Sequence, residues 1–407
     1  MTSIVERALA PWAQRVKTRA NLPVRLSWGA RGGSSLALGD FSSPRVEIRV
    51  RDAAALPLLI EPRLDTLGQA YVEGLIDVDG PLSDVLAVAH RLAETAEPTD
   101  GLLGRIRRRF GHTRESDREA IQYHYDVSND FYAPWLGERM VYSCAYFESG
   151  DETLDQAQAK KIDHILRKIQ LQPGQRLLDI GCGWGALVLR AAERFGAHCV
   201  GVTLSRNQFE LARERVRAAG LQDRVDIRLQ DYRDVSDGPF DRITSVGMFE
   251  HVGLDHLAAY FGHIRSLLKP DGWAMNHGIT STDAKDGETR HGGGHFIDRY
   301  VFPRGELPHI GTVLTRLQEG GLEAFDVENL RRHYMRTTQL WSEAFEANRE
   351  RIRPLVDEKR WRIWRIYLAG CAWAFDRDEV AIYQVLCRPA GQRAQDLPWS
   401  RDWIYRR

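Results

Sequence analysis

What the chain lacks narrows it first. Its five cysteines (Cys144, Cys182, Cys199, Cys371 and Cys387) are scattered and odd in number, with no CxxC pair. That argues against a disulfide framework and a paired-cysteine zinc site, and fits a reducing cytosol. No apolar run approaches the roughly 18 residues that a membrane span requires. Neither sign of charge dominates: 56 Lys and Arg balance 56 Asp and Glu. A nucleic-acid binder that works through bulk positive charge is disfavoured. The opening "MTSIVERALAPWAQRVKTRA" carries Glu6 and has no unbroken apolar core, so it does not read as a secretory signal. The expectation is a cytoplasmic protein, attached at most to the inner face of a membrane.

What is present is an ordinary globular composition, 43% hydrophobic and 28% charged over 407 residues. That length suggests two or three domains. After a helical stretch at 1–20, "LPVRLSW", "SSLALG" and "RVEIRVR" read as short strands, and residues 52–94 return to helical spacing. Residues 1–95 therefore read as a small α+β domain associated with lipid or membrane. A linker at 96–120 contains "GRIRRRFGHTR", with Arg105, Arg107, Arg108, Arg109 and Arg114. This cluster reads either as a solvated helix end or as a contact for anionic lipid headgroups, each basic residue contributing on the order of 1 kcal/mol there.

From about residue 155 the rhythm changes. Strands "RLLDIG", "HCVGVTL", "VDIRLQD" and "FDRITSVG" alternate with helices "ALVLRAAERFG", "RNQFELARERVRAAG" and "LAAYFGHIRSLLK". Such alternation indicates βαβ units and a mostly parallel, doubly wound, Rossmann-like sheet. Ligands bind at the carboxyl ends of such strands. That places "DIGCGWG", "VTLSRNQ" and "SVGMFEHVG" around one cleft. Asp179, Gly181, Gly183 and Gly185 form D-x-G-x-G-x-G at a strand-to-helix turn. Such a turn serves NAD, FAD and S-adenosylmethionine alike. The following strand ends in Thr203, Leu204, Ser205 and Gln208 with no carboxylate, which favours S-adenosylmethionine. Upstream, Tyr123, Tyr125, Tyr132, Tyr142 and Tyr146 could lid a cationic sulfonium.

In this order, "YHYDVSNDFY", "YSCAYF", "LLDIGCGWG", "GVTLSRNQ", "LQDYRDV" and "SVGMFEHVG" closely resemble the cyclopropane-fatty-acyl-phospholipid synthases. They also resemble the mycolic acid cyclopropane synthases and methyltransferases. The resemblance is strong from about residue 120 to 387. It implies a catalytic S-adenosylmethionine-dependent methyltransferase domain at 121–390, with a tail at 391–407. The implied reaction is methyl transfer from S-adenosylmethionine to the cis double bond of a phospholipid acyl chain. A carbocation then closes to a cyclopropane ring after deprotonation by bound bicarbonate.

Position by position, the resemblance assigns the bicarbonate cradle to Cys144, Glu250, His277, Ile279 and Tyr334, with Gly247 leaving room near the reacting carbon. It assigns the cofactor to Tyr142, Ser143, Asp179, Gly181, Gly183, Thr203, Leu204, Gln208, Asp231 and Tyr232. A nucleophilic role for Cys144 has no Cys–His activation pair behind it, and His251 reads as structural. The glycine-rich stretch at 281–308, with His291 and His295, departs from the family and reads as a mobile rim of the acyl channel; no metal is expected. A methyl-branched or methylene product and a non-catalytic lipid-binding protein remain the alternatives. The sequence also leaves a homodimer open.

Overall fold

In the computed structural model, residues 2–29, 33–95, 127–284, 293–302 and 305–405 are described. The basic linker at 96–120, Tyr123, Tyr125 and His291 lie outside them. The chain divides into two compact units.

The first unit draws on Met1–Arg109, Glu288–Pro303 and Val356–Trp373. Strands β1 (Val24–Trp28), β2 (Ser35–Ala37), β3 (Val46–Val50) and β4 (Ile76–Asp79) form a sheet ordered β2-β1-β3-β4. Helices α1 (Thr2–Ala20), α2 (Ala55–Ile60), α3 (Leu64–Val72) and α4 (Leu82–Glu94) belong to this unit. Strand β4 falls where helical spacing was read, its four residues being too few to show a period of two. Two later segments complete the unit. In helix Gly293–Tyr300, Phe296 packs where a Cβ on Gly68 would stand, 2.7 Å from its ring. In helix Glu358–Asp376, Arg362 donates to Tyr71 O at 2.9 Å and to Asp77 Oδ1 at 2.8 Å. Part of the stretch expected to be a mobile rim is thus a helix whose Phe296 and Tyr300 are buried.

The second unit is built on seven strands: β5 (Arg176–Ile180), β6 (His198–Thr203), β7 (Val225–Leu229), β8 (Phe240–Val246), β9 (Leu268–Ser281), β10 (Leu322–Asn329) and β11 (Val380–Pro389). Their order is β10-β11-β9-β8-β5-β6-β7, and the five from β9 to β7 run parallel. Strand β11 inserts antiparallel between β9 and β10. The α/β methyltransferase-like fold expected from the sequence is the fold observed. Strands β9 to β11 were not anticipated, because "KPDGW" punctuates β9 like a loop and pairing on both sides overrides that local signal.

Leu177 and Leu178 point to opposite faces of the sheet, and a buried apolar cluster covers each face. Helix α5 (Asn129–Leu136) packs on α11 (Arg331–Ala347), with the Phe131 and Phe345 rings 5.9 Å apart, and the covering helices include α6 (Leu154–Lys168), α7 (Ala186–Phe195), α8 (Arg206–Ala218), α9 (Leu257–Leu267), α10 (Ile310–Glu319) and α11. Helix α12 (Asp402–Tyr405) ends the described chain, with Ile404 buried and Trp403 Nε1 donating to Lys168 O at 3.3 Å. Because β6 and β8 flank β5 on opposite sides, the chain reverses direction there. A crevice opens at such a switch point.

Candidate active site

Strand β5 ends at Ile180, and the turn into α7 follows. Gly183 there takes φ of 55°, and a Cβ built on it would meet nothing within 4 Å. Gly247, just past β8, has φ of 66° and is equally open. Both glycines line one cavity of about 490 Å³. Tyr142, Ser143, Asp179, Gly181, Thr203, Leu204, Gln208, Asp231 and Tyr232 line it as well. The ends of β5, β6, β7 and β8 and the segment at Tyr142 and Ser143 bring these residues together from five separate stretches of sequence.

Local bonds fix the walls. Thr244 Oγ1 donates to Asp179 Oδ1 at 2.7 Å, yet burial pushes the Asp179 carboxyl up to about 6. Thr203 Oγ1 donates to Gln208 Oε1 at 2.8 Å, which leaves the Gln208 NH2 group as donor. Arg233 holds the Asp231 carboxylate at 2.7 Å. His251 also lines the cavity. It sits on a single 3-10 turn, Phe249–His251, with three residues per turn, so neighbouring Glu250 and His251 diverge by about 120°.

Several lining groups had not been singled out from the sequence. Lys161 is buried, donates to Ser143 Oγ at 3.0 Å, and is pulled down to about 8 by burial. Gln158, one turn earlier on α6, donates to Ser143 O at 2.8 Å. The two side chains hold Ser143 by its carbonyl and its hydroxyl. The available signal was a polar stripe, Gln158–Lys161–His164–Lys168, at helical spacing on α6, which resembles a solvent face until the packing is known.

The expected tyrosine lid divides. Tyr142 lines the cavity, and Tyr132 lies behind it with ring centroids 6.0 Å apart. Tyr146 instead stacks between His164 and His333, at 4.2 and 4.7 Å. Aromatic contacts continue from Tyr142 to Trp341 at 5.2 Å and on to Tyr334 at 5.8 Å.

A second polar group forms on β9. Strand β8 stops at Val246, so the Ile279 N–H has no ladder partner on that side, and Glu250 Oε1 accepts it at 2.8 Å. Gly278 makes this fit: the Phe249 ring lies 1.6 Å from where its Cβ would be. Among the described residues, Glu250 Oε2 and His277 Nε2 are buried and have no hydrogen-bond partner. Burial pushes the Glu250 carboxyl up to about 7, against the pull of the Ile279 N–H. Burial, helped by the Lys161 charge, holds His277 well below its ordinary range and therefore neutral.

Cys144 Sγ lies 3.9 Å from Leu330 O, while Leu330 N donates to Ile382 O, and Ile382 pairs with Ile279 across β11 and β9. This carries Cys144 and the start of α11, where Tyr334 sits, to the same end of the sheet. Burial raises the Cys144 thiol far above its usual range, which speaks against a thiolate nucleophile. His295 belongs to the first unit.

Gly183→Val places a side chain in the open cavity. We expect calorimetry to show at least about a tenfold loss of S-adenosylhomocysteine affinity, because a ligand on such a turn approaches the main chain itself. Unchanged affinity would mean that the ligand lies elsewhere.

Comparison with known proteins places this geometry among relatives. The mycolic acid cyclopropane synthetase family matches residues 112–385, and a domain of unknown function matches residues 12–98. A "Probable fatty acid methyltransferase" of Pseudomonas putida is 45% identical over 389 residues, covering 95% of this chain and 97% of that protein. The cyclopropane-fatty-acyl-phospholipid synthase of Escherichia coli K12 is 40% identical over 351 residues, covering 84% of this chain and 88% of its own. The crystal structure of mycolic acid cyclopropane synthase CmaA1 complexed with SAH and CTAB superposes with a TM-score of 0.63. It is 37% identical and covers 66% of this chain and 97% of that one.

Proposed function

The chain belongs to the mycolic acid cyclopropane synthetase family, and from that premise we propose that it methylates the cis double bond of unsaturated phospholipid acyl chains and closes a cyclopropane ring. It is an S-adenosylmethionine-dependent methyltransferase. The open space at Gly183 and Gly247 in the 490 Å³ cavity suits that cofactor. So do the faces of Tyr142 and Trp184, since aromatic faces attract a sulfonium. When bound, the cofactor supplies an electrophilic methyl group to the alkene and leaves a carbocation on the acyl chain.

The protein's own residues then have three tasks. The cavity walls hold the donor in line with a poorly nucleophilic alkene, and alignment of this kind can lower a barrier by several kcal/mol. The rings from Tyr132 through Trp341 to Tyr334 keep out water that would capture the cation as an alcohol. Glu250 and His277 serve deprotonation. The observation that carries the reading is their pair of buried, partnerless atoms, Oε2 and Nε2. A buried acceptor and donor without partners are costly unless a polar ligand satisfies them. A bicarbonate ion held by Cys144, Glu250, His277, Ile279 and Tyr334 fits that demand and would supply the base.

A second product has its own support in the Pseudomonas putida relative: loss of the proton from the carbon that carries the new methyl gives a methyl-branched alkene, and a 1,2-hydride shift followed by loss of a methyl proton gives a methylene chain. Incubation with methyl-labelled S-adenosylmethionine and vesicles of a cis-monounsaturated phospholipid tests the shared step. Label in the acyl chains is expected. An enzyme that binds S-adenosylhomocysteine yet labels no acyl chain would overturn the reading.

A further inference from the structure

A row of polar side chains crosses the edge of the sheet next to Glu250. Glu328 on β10 faces Gln384 on β11, and Gln384 faces His277 on β9. Directly opposed residues share a face, so the three side chains stand side by side. Gln384 and His277 are buried, and Gln384 Nε2 lies 3.3 Å from His277 Nδ1. An amide NH2 group can only donate. With the amide in this orientation the ring nitrogen facing it accepts, and a neutral imidazole then carries its one proton on Nε2.

We propose that Gln384 is a positioning residue that fixes the tautomer of His277, with Nδ1 accepting from the amide and Nε2–H aimed at the reaction centre. This rests on reading the Glu250 and His277 side chains as part of that centre. Nε2 is buried without a partner, as a donor reserved for an incoming acceptor would be. Gln384 also separates His277 from Glu328. The charged groups acting on His277 are Lys161, Lys168, Glu328 and His164. Of these Glu328 is the carboxylate, and His164 and Lys168 already hold it, His164 at 2.8 Å. A neutral amide between carboxylate and ring keeps a proton from being drawn onto Nδ1. Such an outer partner sets which nitrogen of a working histidine carries its hydrogen, and its loss typically costs about 10- to 100-fold in function.

The test is long-range proton–nitrogen NMR of the full chain labelled with 15N-histidine, at neutral pH. The His277 signal is assigned by its disappearance in His277→Asn. A pyridine-like Nδ1 and a pyrrole-like Nε2 are expected. Gln384→Glu should move the proton to Nδ1 or give an imidazolium, and lower kcat about 10- to 100-fold with the KM for S-adenosylmethionine little changed. A protonated Nδ1 in the wild type overturns the proposal, even if the variant does not fold. A folded Gln384→Glu enzyme with the wild-type tautomer and kcat also overturns it. Because the wild-type spectrum reads the tautomer whatever the substrate, its failure is distinct from failure of the methyl-transfer reading.

Discussion

Glu250→Gln lowers acyl-chain methylation by about 10²- to 10⁴-fold, the range of a lost general acid–base, while calorimetric S-adenosylhomocysteine affinity stays close to wild type. The variant is nearly isosteric. Its amide oxygen still accepts the Ile279 N–H that Glu250 Oε1 takes at 2.8 Å, so the end of β9 keeps its hydrogen bond. What disappears is Oε2, the partnerless atom, together with a carboxyl poised at about 7, where it can share a proton with a neighbouring base. Glu250 is not among the residues lining the cofactor cavity, so donor binding is spared. A variant within about threefold of wild-type kcat would remove Glu250 from the chemistry.

The same carboxyl has a stability signature. Its folded pKa, about 7, lies above the ordinary 4.5, so the folded state binds more protons between these values. The contribution is fully present below about pH 4.5 and is lost as pH rises through about 7. Gln at this position lacks the term, so its urea midpoint should fall less steeply over that window.

Lys168→Met should destabilise the second unit by about 3–5 kcal/mol, the usual cost of removing one partner from a buried ion pair. Lys168 is fully buried on α6 and binds Asp326 Oδ2 at 3.2 Å and the Glu328 carboxylate on β10. Arg401, just before α12, reaches Asp326 from the other side, so this cluster ties helix, sheet edge and chain end together. Burial works against the Glu328 carboxylate, but His164 and Lys168 outweigh it and hold the group down at about 2. A depressed carboxylate contributes stability above about pH 4.5 that is lost as pH falls through about 2. Removing Lys168 should therefore shift acid unfolding to higher pH. Denaturant unfolding reads both effects, and a loss below about 1 kcal/mol would mean that the carboxylates are satisfied by Arg401 and His164 alone.

The sequence showed most where structure is local. The D-x-G-x-G-x-G turn, the end of β6 at Thr203 and Gly247 just past β8 each adjoin a recognisable strand. A parallel sheet brings such ends together with no further information. The long-range arrangements were hidden. Strand β11 comes from residues 380–389 yet lies between β9 and β10, so nothing near Gln384 in the chain marks it as a neighbour of His277. The first unit takes in residues 293–302 and 356–373, which reading along the chain cannot connect to residues 1–95. The polar stripe on α6 gives no local sign of burial, because Lys161 and Lys168 find their partners in Ser143, Asp326 and Glu328, 18 or more residues away.

The most direct test is proton NMR of the fatty acid methyl esters recovered after the enzyme has acted on cis-monounsaturated phospholipid vesicles. Ring closure guided by Glu250 and His277 predicts cyclopropane resonances upfield of the ordinary aliphatic signals. Olefinic methylene or branched-methyl signals in their place would contradict it.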